Sequence, residues 1–151
     1  MTTLDEAKMF ILTNREKGIK CPCCNQFVKL YKRKLNSGMA ITLIRMYNHN
    51  KFGWISVKDF LRRYSLKNNH DWTLLRHWTL IEEKPENPEH GGKTNGVWRL
   101  TDLGRRFVER KINVMERLLI YNNTFMGFEG TRININYALG DKFDYDELMK
   151  V

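Results

Sequence analysis

The sequence predicts an α+β fold, and three observations lead to this prediction. Apolar residues recur at helical spacing over 39–47, as expected for a buried helix. Two short segments that can form strands, 79–83 and 97–100, flank a polar segment rich in glycine and proline, as in a long β-hairpin. In the last third, apolar and polar residues alternate, as in short strands. The 42% hydrophobic and 12% aromatic content excludes a disordered chain, and 151 residues can form one core, with or without appendages.

Residues 1–36 are predicted to form an N-terminal helix, a cysteine loop and a basic arm. Thr3 and Glu6 have the spacing of a capping box, which predicts a helix start, and the helix is expected over 4–14. The apolar residues expected on its buried side are Leu4, Ala7 and Ile11. CPCCNQ is typical of a tight loop, and FVKLYKRK at 27–34 alternates as a short strand or extended arm would.

Residues 37–112 are predicted to form the main core. The predicted elements are a helix from 37 to about 48–50, a strand at 54–57, a helix at 58–65, a third helix at 69–78, hairpin strands at 79–83 and 97–100, and a helix at 102–112. The apolar stripe of the third helix consists of Trp72, Leu75 and Trp78. Thr101 is the expected N-cap of the last helix, and the apolar residues expected to face the core from it are Leu103, Phe107, Val108 and Ile112.

Residues 113–151 are predicted to form a β-rich extension that packs on this core. Strands are expected at 118–121 and 124–128, with turns at 122–123 and 129–130. The alternation of Ile133, Ile135 and Tyr137 predicts a third strand. Asp144 and Glu147 predict a terminal helical turn with an aspartate cap.

The order helix, strand, helix, helix, hairpin over 37–112 resembles a winged helix, which is a helix-turn-helix with an added β-hairpin. VWRLTDLGRRFV at 97–108 resembles the strand-to-helix junction of many bacterial winged-helix regulators. At this junction, Gly104 allows the helix backbone to approach the hairpin closely. The resemblance implies a winged helix over 37–112. The predicted fold is therefore an α+β winged helix with an N-terminal helix and cysteine knuckle and a C-terminal β-hairpin extension. The resemblance also implies that the third helix enters the major groove of DNA.

The chain also resembles a group of small phage-encoded proteins. The matching segments are CPCCNQFVKLYKRKLNSGMA at 21–40 and FDYDELM at 143–149. This resemblance implies a phage or prophage origin and residence in the host cytoplasm, but no particular activity.

The polar side of the third helix supplies candidate base-reading residues, because hydrogen-bonding side chains there would face the base edges. We expect these residues to face solvent, and they are Asn69, His70, Thr73, Arg76 and His77. The alternative is that they form the polar face of an ordinary surface helix. Asp71 argues against close approach to phosphate.

The formal net charge of +9 favours an anionic partner such as nucleic acid. Between residues 15 and 36, seven basic residues stand against one acidic residue. Those expected to contact phosphate are Lys29, Lys32, Arg33 and Lys34, because no comparable acidic run occurs nearby in the sequence to neutralise them. The alternative is a solvated basic strand edge, on which lysines prevent aggregation.

The hairpin has a net charge of −2 over residues 82–93, where Glu82, Glu83, Glu86 and Glu89 face only two lysines. A wing that follows phosphates should be basic. Either the wing stays off the DNA or this domain binds a protein, since a fold does not determine function.

Cys21 and Cys24 have the spacing of a zinc knuckle, which supplies two of four ligands. Cys23, His49, His90 or a second subunit would have to supply the others, or these are plain reduced thiols. Cysteines crowded into four positions do not form a disulfide framework.

Two functions follow from these observations. The first is a phage-encoded winged-helix regulator of transcription or DNA transactions, with duplex DNA as its partner. The second is a protein interaction module that inhibits or redirects a host enzyme or defence complex. No catalytic motif is present, so we do not expect an enzyme. No segment reaches the ~20 apolar residues that span a bilayer, so we expect a cytoplasmic protein without a membrane partner, with its oligomeric state open between monomer and dimer.

Overall fold

The computed structural model describes residues 3–64, 70–85, 96–122 and 124–150, without the side chain of residue 70. It is an α+β structure with small antiparallel sheets. The elements in chain order are α1 (Leu4–Asn14), β1 (Ile19–Lys20), β2 (Phe27–Val28), β3 (Leu30–Lys34), α2 (Ser37–His49), β4 (Ile55–Ser56), α3 (Val57–Tyr64), a 3₁₀ helix (His70–Trp78), β5 (Ile81–Glu83), β6 (Val97–Leu100), α4 (Asp102–Val108), β7 (Val114–Tyr121), β8 (Thr124–Ile133), α5 (Ile135–Leu139) and α6 (Tyr145–Met149).

The chain divides into two compact units. Unit 1 consists of Met1–Lys34 and Glu116–Gly130, and unit 2 consists of Leu35–Met115 and Thr131–Val151. The segment predicted as a C-terminal extension is therefore shared, because 116–130 belongs to unit 1 and the residues after it belong to unit 2. Across the described ranges, no helix has both the length and the apolar content needed to cross a bilayer.

Unit 1 begins with α1, whose start confirms the predicted capping box. The Glu6 N–H donates to the Thr3 hydroxyl at 3.1 Å, and the Thr3 N–H donates to the Glu6 carboxylate at 3.3 Å. The expected buried side is only partly correct. Ala7 is the buried residue of α1, whereas Leu4 is 63% exposed. The helix therefore presents apolar side chains to solvent.

The predicted tight loop at the cysteines joins β1 to β2, which pair antiparallel. Gly18, just before β1, has a φ of +85°, and a Cβ at this position would lie 2.5 Å from the Phe27 ring. Further along, β3 is an edge strand of the sheet β3-β7-β8 and pairs antiparallel with β7. Leu30 is the buried residue of β3, and the four residues that follow it in the strand are exposed.

Unit 2 is organised around α2, which packs against α3, the 3₁₀ helix, α4, α5 and α6. Asn36 caps α2 by accepting the Met39 N–H at 2.9 Å. The buried apolar residues of α2 are Met39, Ala40, Leu43, Ile44 and Met46. The apolar stripe that predicted this helix is thus its core face.

The sheet of unit 2 has the order β4-β6-β5, with both pairs antiparallel. The central strand β6 alternates as a half-buried strand should, since Trp98 and Leu100 are buried while Val97 and Arg99 are half-buried. Its register places Trp98 opposite Ile55 of β4 and Leu100 opposite Ile81 of β5. The residues between β5 and β6 from 86 to 95, including Glu86, Glu89, His90 and Lys93, lie outside the described residues.

The junction between β6 and α4 confirms the predicted cap. The Thr101 hydroxyl accepts the Gly104 N–H at 3.0 Å, and the Thr101 N–H donates to the Leu80 carbonyl at 3.1 Å. Two details of the prediction are wrong. The helix ends at Val108 instead of 112, because Arg110 has a φ of +63°, which a helix cannot continue through. Leu103 is 42% exposed instead of facing the core.

The C-terminal prediction of three strands is also wrong. β8 runs without a break through the expected turn at 129–130, and Ile135 begins the helix α5 instead of extending a strand. The physical reason is a cap, since Asn134 accepts the Tyr137 N–H at 2.8 Å. The predicted terminal helical turn is confirmed as α6, with Asp144 accepting from the Asp146 N–H at 2.9 Å.

Gly104 provides a test of the α4 junction. A Cβ at this position would lie 2.0 Å from the Leu80 carbonyl oxygen, which belongs to the backbone and cannot rotate away. We expect Gly104→Ala to lower the free energy of unfolding by at least about 1 to 3 kcal/mol, the usual range for overpacking, measured by urea denaturation. Leu103→Ala, at the exposed neighbouring position, is the control and should cost far less. Equal losses of unfolding free energy in the two variants would contradict the close approach of the Gly104 backbone to the Leu80 carbonyl.

Candidate nucleic-acid interface

The 3₁₀ helix is held by a row of three buried side chains. With three residues per turn, residues three apart lie directly above one another. Trp72, Leu75 and Trp78 form such a row and are buried, as predicted. The Trp72 ring meets the Trp98 ring edge-to-face with centroids 5.3 Å apart, and the Trp78 Nε1–H donates to the Met115 carbonyl at 2.7 Å. These contacts fix the rotation of the helix about its axis.

The neighbouring rows carry the candidate base-reading residues. Arg76 is exposed, as predicted, whereas Thr73 and His77 are half-buried. An α-helix with 3.6 residues per turn would place Thr73 and His77 opposite the buried row. In the 3₁₀ helix Thr73 and Arg76 share one row beside the buried row, and His77 lies in the other. Asn69 and the side chain of His70 lie outside the described residues. Among the three candidates whose side chains are described, Arg76 is the exposed one.

Burial lowers the pKa of His77 below its ordinary value, and the nearby Arg76 lowers this pKa further. At neutral pH this histidine is therefore mostly neutral, with one ring nitrogen able to donate and the other able to accept a hydrogen bond. In that form it suits contact with a base edge better than an ion pair with phosphate.

The described part of the hairpin is less acidic than the sequence suggested. Glu82 of β5 forms an ion pair with Arg99 on β6, directly opposite in the strand register. The Arg99 guanidinium also lies 4.1 Å from the centroid of the Trp54 ring. This arginine was overlooked in the sequence because charge was counted only over residues 82–93. The negative charge of Glu82 at the base of the hairpin is thus compensated.

The basic segment of β3 lies on an exposed sheet edge, with Lys32, Arg33 and Lys34 all exposed, and Lys29, just before the strand, is half-buried. No acidic run lies nearby in the sequence, but the fold brings one acid to this segment, because the Lys32 Nζ lies 3.1 Å from Glu129 Oε2 on β8. Lys32 and then Arg117 hold the pKa of Glu129 below its usual value. Since exposed ion pairs are weak, this contact reduces but does not remove the charge that Lys32 can offer to phosphate.

A groove in unit 1 combines aromatic rings with cations. Its lining residues include Phe27, Lys29, Tyr31 and Tyr121. The Lys29 Nζ lies 5.5 Å from the Tyr31 ring centroid, and the Arg15 guanidinium lies 5.3 Å from that of Tyr121. Among the described residues, no carboxylate lines this groove. Such an arrangement can stack a base or sugar while the cations contact phosphate. Lys29 was predicted from the sequence, whereas Arg15 and Tyr121 were missed because the fold brings them in from distant positions.

A second cluster of cations and rings surrounds Phe52 in unit 2, but its charges are paired. Phe52 lies beneath Lys51 and Arg105, whose charged groups are 5.3 and 4.9 Å from the ring centroid. Lys51 also reaches Glu109 at 3.5 Å, and Arg105 reaches Asp102 at 3.6 Å. This cluster is therefore a poorer phosphate site than the groove of unit 1.

The cysteine loop has the hydrogen bonding of a tight knuckle. The Cys23 N–H donates to Cys21 Sγ at 3.4 Å, and the Asn25 N–H donates to the Cys21 carbonyl at 2.9 Å, with Asn25 at a φ of +62°. Backbone N–H groups of Cys24 and Cys23 lower the pKa of the Cys21 thiol. Within the described parts of the chain, no three His, Cys, Asp or Glu side chains converge as a complete metal site.

Comparison with protein-family models, curated proteins and solved structures gives no match for this chain.

The lowered pKa of His77 predicts a pH dependence of stability. An unfolded histidine has a pKa of about 6.5, so as the pH falls through this value the unfolded chain takes up a proton before the folded one does. Protonation then favours unfolding until the pH passes the lower pKa of the folded state. We expect the melting temperature of the native protein to fall more between pH 7 and pH 5 than that of His77→Gln. If the melting temperatures of the two proteins fall equally with pH, the lowered pKa of His77 is contradicted.

Proposed function

We propose that this chain is a DNA-binding protein in which residues 37–112 act as a winged helix. In this proposal it is a phage-encoded regulator of transcription or DNA transactions that works in the host cytoplasm. Duplex DNA is its partner, and catalysis is not part of its role. The third helix reads bases, and the basic segment of β3 contacts phosphate separately.

The observation that carries this proposal is the arrangement of unit 2. Its elements follow the order α2, β4, α3, 3₁₀ helix, β5, β6, and β6 lies between the other two strands. A helix-turn-helix with a wing has this order. The same helix that would enter the groove also has its apolar row buried and Arg76 exposed.

The charge distribution supports a polyanionic ligand. Arg33 is exposed on the edge strand, and no carboxylate among the described residues lines the neighbouring groove with Lys29 and Tyr31. Cations next to aromatic rings keep their charge, whereas cations paired with carboxylates are partly neutralised. A phosphate backbone that follows β3 would meet these uncompensated charges first.

Salt dependence tests the phosphate contacts. Each neutralised phosphate contributes about −0.9 to the slope of log affinity against log salt concentration. We expect duplex binding, measured by fluorescence anisotropy, to weaken steeply with salt. Replacing Lys32, Arg33 and Lys34 together by glutamine should flatten the slope by roughly 0.9 for each phosphate that the variant no longer neutralises.

The matched control replaces Arg132, Lys142 and Lys150 by glutamine, since these residues are also exposed and the change in net charge is the same. This variant should keep the native slope. A slope that changes equally in both variants would show that only total charge matters. Absence of duplex binding at low salt would contradict the proposed function.

Arg76 tests base reading. Because its side chain is exposed, Arg76→Ala should leave the melting temperature nearly unchanged but weaken binding to a selected site by about 1 to 3 kcal/mol. Random duplex should be bound almost as well as before. Trp72→Ala, one row away in the same helix, should instead lower stability by about 3 to 5 kcal/mol through the cavity it leaves. Equal losses on selected and random DNA would make Arg76 a phosphate contact, and a large loss of stability would contradict its position.

A second candidate function is the protein interaction module that inhibits or redirects a host enzyme or defence complex. The observation that favours it lies on β8, where Phe125, Met126 and Phe128 are exposed and the two phenyl rings meet with centroids 5.1 Å apart. Exposed apolar clusters of this kind are common at protein interfaces. The double variant with Phe125→Ser and Phe128→Ser tests this function. If it still binds DNA but no longer inhibits or redirects the host enzyme or defence complex, the second function is favoured.

A further inference from the structure

The cysteine knuckle of unit 1 is half of a tetrahedral site. Cys21 and Cys24 line the same groove. Backbone N–H groups point at the Cys21 sulfur, as shown by the contact from Cys23 at 3.4 Å. N–H groups aimed at a sulfur stabilise its anionic form, which is the form that binds metal.

The site lacks ligands within the described chain. Zinc bound by thiolates takes four ligands in a tetrahedron, and the part of the chain that the structure describes brings no third metal-binding side chain to Cys21 and Cys24. A four-ligand site at Cys21 and Cys24 therefore needs ligands from outside the described residues. Cys23 is adjacent in sequence to Cys24, and its position in the turn serves to donate the N–H to Cys21.

Apolar side chains surround the knuckle and leave it suited to a contact with another surface. Phe10 lines a cavity together with Cys21 and is 47% exposed. Phe27 lines the groove with Cys21 and Cys24 and is 62% exposed. These exposed rings near the cysteines offer apolar surface to a partner that would also supply the missing ligands.

We propose that Cys21 and Cys24 bind one Zn²⁺ together with the same two cysteines of a second copy of this chain. A two-fold axis through the metal makes the contact self-complementary, since each copy gives the same pair of ligands and the same apolar surroundings. The four thiols release their protons to solvent as the four Zn–S bonds form. The resulting centre carries a net negative charge, which Lys20 of each copy offsets from its place in the wall of the adjoining cavity.

The proposal is independent of DNA binding and is tested on the full chain in a reducing buffer with added Zn²⁺. We expect about one zinc per two chains by inductively coupled plasma mass spectrometry, and a dimer by sedimentation equilibrium. Chelation with EDTA should yield metal-free monomer, and renewed Zn²⁺ should restore the dimer. Replacement by Co²⁺ should give the visible absorption of a tetrahedral site with four thiolates.

Cys21→Ser and Cys24→Ser should each lose both zinc and dimer. Cys23→Ser is the matched control, because its backbone N–H remains, and it should retain both. Chelation of the native protein provides the same readout if a cysteine variant fails to fold. One zinc per chain in a monomer would overturn the proposal and assign the other ligands to the same chain. Zinc-free reduced protein, a dimer that EDTA does not affect, or an equal loss in Cys23→Ser would also overturn it.

Discussion

The edge-to-face contact between Trp72 and Trp98 determines which side of the 3₁₀ helix faces solvent. Trp98 lies on the central strand of its sheet, so the helix is fixed to β4 and β5 through the strand between them. The hydrogen bond from Trp78 to the Met115 carbonyl holds the other end. With three residues per turn, Arg76 lies outside the buried row that contains Trp72 and Trp78. The exposure of the arginine is thus a consequence of core packing, and a change in the core would move the candidate interface.

Elements that carry a local signal at their ends could be predicted from the sequence. The caps at Thr3, Thr101 and Asp144 each begin a helix as expected. The failure at Ile135 has a clear reason, because Ile133 and Ile135 fit a strand while Ile135, Ala138 and Leu139 fit one turn of helix equally well. In so short a segment the sequence pattern fits both a strand and a helix, and the cap at Asn134 favours the helix that the structure shows.

The candidate site was predictable only as far as its residues are close in sequence. The β3 segment was found because its charges are consecutive, but its partner Glu129 lies on β8, and the pairing of distant strands is not encoded in a local pattern. The same holds for Arg15 against Tyr121. The half-buried positions of Thr73 and His77 depend on whether the segment forms an α-helix or a 3₁₀ helix. Side-chain packing determines that choice, and the spacing of apolar residues in the sequence does not.

Net charge alone overstates what this protein can offer to an anionic ligand. The formal charge of +9 counts every cation equally, yet the neighbours of each cation decide how much of its charge is felt. Lys51, Arg99 and Arg105 each contact a carboxylate, so a phosphate must compete with that partner. Lys29 and Arg15 instead lie over tyrosine rings, which attract a cation without cancelling its charge. Affinity for a polyanion should therefore depend on cations such as Lys29 and Arg15, which lie over tyrosine rings, more closely than on the total charge of the chain.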